Sequence, residues 1–118
     1  MPRDNEFVNY VLDQLAFLRG LHARAMFGGH GLYQDEIIFA IIVNDMLYLK
    51  ANDATRGDFE AKGLSPFSYS ARGRTMTMQY YEAPAEVFED AEAMRLWTGK
   101  AVQAALAPKA GERGKVKR

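Results

Sequence analysis

The chain has 118 residues and no cysteine, which removes disulfide scaffolds, thiol nucleophiles and cysteine-ligated zinc or iron–sulfur sites together. Fifteen basic and fifteen acidic residues cancel to a formal charge of zero, so no global field draws the chain toward nucleic acid or membrane. Hydrophobic content of 48% with no membrane-length apolar run and no signal-peptide core predicts one soluble, cytoplasmic domain large enough to bury a core unaided.

Asp4 or Asn5 can cap a first helix, along which Phe7, Val8, Val11, Leu12, Leu15 and Leu18 follow helical spacing. Gly20 suits the residue just past its end, with Leu21 as the accompanying contact. The segment Arg24 to Ala51 reads as three antiparallel strands. Ile37 to Val43 is an unbroken apolar run rich in β-branched residues. Asn44-Asp45 then supplies a two-residue hairpin turn into Met46-Leu47-Tyr48-Leu49, since both residues tolerate positive φ.

Asn52 or Asp53 can cap a short helix that ends at Gly63 and is anchored by Phe59. Pro66 to Ser70 reads as a short edge strand, Ala71-Arg72-Gly73-Arg74 as a turn, and Thr75 to Glu82 as a strand with Met76, Met78 and Tyr80 on one face. Pro84 opens a turn, and Asp90 caps a last helix whose stripe is Met94, Trp97, Ala101, Ala104 and Ala105. The order α-β-β-β-α-β-β-α predicts an α+β, two-layer fold, an antiparallel sheet of about five strands with helices on one face. The expected core is Phe7, Leu12, Leu15, Phe39, Ile41, Leu47, Leu49 and Trp97. Residues 1–108 form this domain.

Residues 109–118 read as a basic, disordered tail: Lys109, Arg113, Lys115, Lys117 and Arg118 stand against Glu112, a net of +4 that leaves −4 for the rest of a neutral chain. These five residues are the candidate nucleic-acid contacts, through nonspecific attraction to phosphate.

The other chemical signals are weak. Gly28 and Gly29 open a cluster in which Gly29-His30-Gly31 is followed by Leu32-Tyr33-Gln34 and another strand. A dinucleotide-binding loop would need its third glycine there and a helix start, so a bend or close packing is the expected role. His22, expected in a loop, and His30, expected in a strand, have no cysteine or convergent carboxylates to form a metal site. No nucleophile elbow occurs. Tyr48, Tyr69, Tyr80 and Tyr81 with Lys50, Arg72 and Arg74 could form a base-stacking sheet, although half-buried packing is the commoner use of strand tyrosines.

Met26-Phe27-Gly28-Gly29, Gly31-Leu32-Tyr33, Phe39-Ala40, Leu47-Tyr48-Leu49-Lys50, Pro66-Phe67-Ser68-Tyr69, Tyr80-Tyr81 and then Pro84, Glu86 and Val87 together resemble the N-terminal domain of the TfoX/Sxy family, over roughly residues 5–107. The resemblance implies an α+β fold of the same order, a structural motif at Met26, Phe27, Gly28, Gly29, Gly31, Tyr33, Tyr48 and Lys50, and no catalytic residues. The family's competence regulators assist a DNA-binding activator and carry a second, helical domain. A chain ending at Arg118 is expected to be a single-domain member without it, so that a competence role does not follow. The expectation is a non-enzymatic, cofactor-free protein-interaction module, assisting a transcriptional regulator and able to form a homodimer. The alternatives are a small enzyme or ligand binder using the sheet–helix cleft, and a nucleic-acid accessory acting through the tail.

Overall fold

A computed structural model describes residues 3–26 and 28–107. Helix α1 (Arg3–Gln14) leads into four consecutive strands, β1 (Leu21–Met26), β2 (Gly29–Gln34), β3 (Ile37–Val43) and β4 (Met46–Lys50). Helix α2 (Arg56–Ala61), strands β5 (Pro66–Ala71) and β6 (Arg74–Glu82), a 3-10 turn (Ala85–Phe88) and helix α3 (Ala91–Leu106) complete the chain. The fold is α+β, as the pattern predicts, with an antiparallel sheet in the order β1-β2-β3-β4-β6-β5.

The sheet has six strands, and four of them lie where three were expected. The extra one is β1. It reads Leu-His-Ala-Arg-Ala-Met, without a β-branched residue, and so lacks the signal that marks β3. His22 therefore sits in a strand and not in a loop. Helix α1 ends at Gln14, and a turn fills the space up to Gly20. Gly20 is left-handed, with φ +77, but it serves the sheet: its carbonyl accepts from Asp35 N–H at 2.9 Å.

The hairpin turns follow the residues' φ preferences. Asn44 and Asp45 have φ of 53 and 60, and Arg72 and Gly73 have 56 and 76. Both pairs have the two positive φ values of a type I′ turn, whose twist matches the flanking strands. Asn52 Oδ1 accepts from the amides of Ala54 and Thr55, each at 3.0 Å, and so organises the entry to α2. Asp90 caps α3 by accepting from Glu92 N–H at 3.2 Å.

Register assigns the faces. Leu32, Ala40, Leu49 and Tyr81 stand side by side across β2, β3, β4 and β6, with Ile42 beside Leu47 in the next row. These residues meet Val8, Val11 and Leu15 of the first helical segment, Phe59 of α2, and Met94, Trp97 and Ala101 of α3 in one core. The pairing slips between Leu32 and Tyr33, which leaves Phe39 without a partner on β2. This bulge lets Phe39 and Ala40 both enter the core. The expected core is corrected at two positions, Phe7 and Leu12, which are only partly buried beside Val8 and Val11. Ile41 is buried as expected, but on the opposite face of the sheet.

Candidate interaction surfaces

The helices cover one face of the sheet. On the other, Arg24, Gly31, Ile41, Tyr48 and Glu82 form a row across five strands, with His22, Tyr33 and Ile38 in the row beside it. This face closes over itself. A side-chain carbon on Gly31 would stand 2.7 Å from Met26 Sδ and 2.9 Å from Ile38 Cδ1, so the missing side chain is the space these groups occupy. Tyr33 is stacked by His22 at 5.3 Å between ring centres, and the Arg24 guanidinium lies 5.1 Å from its centre. Lys50 lies 5.0 Å from the centre of the Tyr80 ring. Burial pushes the Tyr80 hydroxyl above its ordinary pKa, with the nearby Tyr33 adding to the effect.

Toward β5 the face becomes an arm. Strand β6 pairs with β4 only through Tyr80, Tyr81 and Glu82, and its residues Arg74–Thr77 pair with β5 alone. Every residue from Ser68 to Gln79 is exposed. Tyr69 and Met76 are register partners and share a side of this ribbon with Met78. At its root Phe67 meets Tyr48 edge-on at 5.1 Å and stacks with Tyr69 at 6.1 Å. Burial, then the charge of Glu82, raises the pKa of Tyr48.

The helical layer has its own surface. Leu96, Gly99, Gln103 and Leu106 are all exposed and recur at the spacing of one α3 stripe, with Leu96 59% and Leu106 62% exposed. The two leucines stand about 15 Å apart along the helix. Beneath them α3 is tied down by charge-assisted bonds. Trp97 Nε1 donates to Glu86 Oε2 at 3.3 Å, Lys62 Nζ to Glu86 Oε1 at 3.0 Å, and Lys100 Nζ to Asp58 Oδ2 at 2.9 Å. The Lys62 bond is the main reason that the Glu86 carboxyl lies below its ordinary pKa.

These contacts place the residues singled out in the sequence. Met26, Gly31, Tyr33, Tyr48 and Lys50 come together on the helix-free face. Gly28 takes φ +77 at the link between β1 and β2, and Gly29 lies against the Ile42 carbonyl. Phe27 and the tail residues Lys109, Arg113, Lys115, Lys117 and Arg118 lie outside the described residues. Of the four tyrosines, Tyr81 is set apart. It faces the helices, stacks on Phe59 at 5.4 Å and donates to Glu60 Oε2 at 3.1 Å. No group of three or more His, Asp or Glu side chains that could hold a metal ion occurs among the described residues. His30 Nδ1 is buried without a hydrogen-bond partner among them.

The TfoX N-terminal domain matches residues 13–105, most of the chain. The chain belongs to that family. It is 27% identical over 86 residues to the DNA transformation protein TfoX1 of Aliivibrio fischeri (strain ATCC 700601 / ES114), an alignment covering 73% of this chain and 39% of the relative. This TfoX-type domain thus spans about two-fifths of that relative's length. Sequence reasoning missed the α3 stripe because it followed the inner one, Met94, Trp97, Ala101, Ala104 and Ala105, and did not take up the outer side of the helix. It singled out Tyr48 and Tyr69 as possible stacking residues but missed Phe67, which meets both rings only through the strand order.

Proposed function

We propose that this TfoX-type domain is a non-enzymatic, cytoplasmic protein-interaction module that assists a transcriptional regulator. The observation behind this reading is the outer stripe of α3, where Leu96 and Leu106 expose most of their surface at helical spacing on a helix anchored from below. Exposed aliphatic side chains in such an array suit insertion into an apolar groove of another protein. The relative's name, DNA transformation protein, fits a regulator of DNA uptake as the wider setting. The competence role belongs to this proposal, since the alignment covers only 39% of that relative.

The test is crosslinking and co-purification of the tagged chain from its native host, beside the variant Leu96→Ser/Leu106→Ser. The reading expects a DNA-binding regulator to be recovered with the native chain and lost with the variant. Equal recovery with both, or none with either, would reject the stripe as its contact. A homodimer in sedimentation that the variant dissolves would reassign the stripe to self-association.

A further inference from the structure

We infer that the run Tyr48–Phe67–Tyr69, continued by Arg72 and Arg74 at the tip of the arm, is a binding track for single-stranded nucleic acid. The three rings make a continuous path from the sheet onto the ribbon, with steps of 5.1 and 6.1 Å between centres. Tyr69 is 44% exposed at the outer end of this path, on the face opposite the described helices. An unpaired base can stack on such a ring regardless of its identity, because every base has a π-face. A duplex keeps its bases stacked on each other and offers the rings only its backbone.

Charge points to the same occupant. Between Pro66 and Tyr81 there are two arginines and no aspartate or glutamate, although the chain before residue 109 carries net negative charge. Among the described residues, neither Arg72 nor Arg74 is in an ion pair. The arm is thus a local cation on an acidic body, complementary to a polyanion, and its positive end follows directly from the rings. Glu82, the β6 partner of Tyr48, places a negative charge at the inner end, which favours phosphates running outward along the ribbon. The track lies on the opposite side of the sheet from the α3 stripe, so one molecule can hold a protein and a nucleic-acid strand together.

Fluorescence anisotropy of a labelled oligothymidylate with the full chain at low salt tests this. The strand should bind more tightly than a duplex of the same length. Tyr69→Ala should weaken it about five- to a hundredfold, the range for loss of one stacked base. Arg72→Ser/Arg74→Ser should weaken it and lower the log–log salt slope by about 1.4, two single-strand phosphate contacts. Trp97 lies in the helical layer, so its fluorescence reports that each variant is folded without sensing the track. Leu96→Ser/Leu106→Ser should bind the strand normally even if the protein-partner reading fails. No binding, a duplex bound as tightly as the strand, or a Tyr69→Ala variant of native affinity would each overturn the proposal. The last result would move binding to the basic segment 109–118.

Discussion

Gly29 lies so close to the carbonyl of Ile42 that no side-chain carbon fits between them. The obstructing atom is backbone in the middle of the sheet and cannot rotate away. Gly29→Ala should therefore cost about 1–3 kcal/mol, the usual penalty for overpacking. Gly99, on the exposed side of α3, has nothing within 4 Å of a built side-chain carbon. Gly99→Ala should stabilise by about 0.5–1 kcal/mol, because alanine restricts the unfolded chain and favours helix. Urea denaturation of both variants checks the contrast, and a Gly29→Ala midpoint equal to that of the native chain would contradict it.

The buried end of the first helical segment carries a second prediction. Leu15 has no exposed surface and packs with Val8 and Val11 against the sheet, although it lies just past the end of α1. Leu15→Ala should cost about 2–5 kcal/mol, through lost transfer energy and the cavity left behind. Leu12→Ala, at a partly buried position on the same segment, should cost less. Equal losses in thermal unfolding would mean that the two sites collapse alike.

Part of this architecture was legible in the sequence. Five of the seven residues from Ile37 to Val43 are β-branched, and Asn44-Asp45 are turn residues, so β3, its hairpin and β4 followed directly. Local pattern could not reveal β1, whose alanines, histidine and arginine have no strand preference of their own and are held by pairing with β2. Nor could alternation say which face the helices would take. Ile41 looked like a core residue for the same reason as Ile42, and only the helices' position separates them. The candidate site was less visible still. Tyr48 and Phe67 are distant in sequence and meet across β6 because β6 inserts between β4 and β5.

Acid should loosen the contact between α2, the 3-10 turn and α3. The Glu86 carboxyl lies below its ordinary pKa, chiefly through the Lys62 bond and further through the bond from Trp97. In the window between its unfolded and folded values, the unfolded chain binds more protons than the folded one. Stability therefore rises with pH there. The contribution is present above the ordinary glutamate pKa and is lost as pH falls through the lower folded value. Glu86→Gln should flatten the acid limb of a stability–pH curve followed by Trp97 fluorescence, with little change in the curve's shape at neutral pH. An acid limb identical to that of the native chain would show that other carboxylates set it.

Arg72 provides a test in which stability and binding move in opposite directions. Its φ of 56 places an arginine in the left-handed region, beside Gly73 at φ 76. For a residue with a long side chain that conformation costs on the order of 1–2 kcal/mol, whereas asparagine forms local hydrogen bonds there and Asn-Gly is the favoured pair for a type I′ turn. Among the described residues no helix buries the arm, whose residues from Ser68 to Gln79 are all exposed, and an unsupported two-stranded ribbon is marginal in water. A strained residue at its tip is unfavourable for folding alone, and such residues gather where function needs the side chain. Arg72→Asn should therefore raise thermal stability, or increase amide-exchange protection within β5 and β6 if the ribbon opens separately from the body. The same substitution removes one of the two cations at the end of the Tyr48–Phe67–Tyr69 track. It should weaken oligothymidylate binding and lower the log–log salt slope by about 0.7, one phosphate contact. A variant that gains stability and keeps native affinity would make Arg72 an ordinary turn residue. One that loses both would show that the arginine supports the ribbon itself.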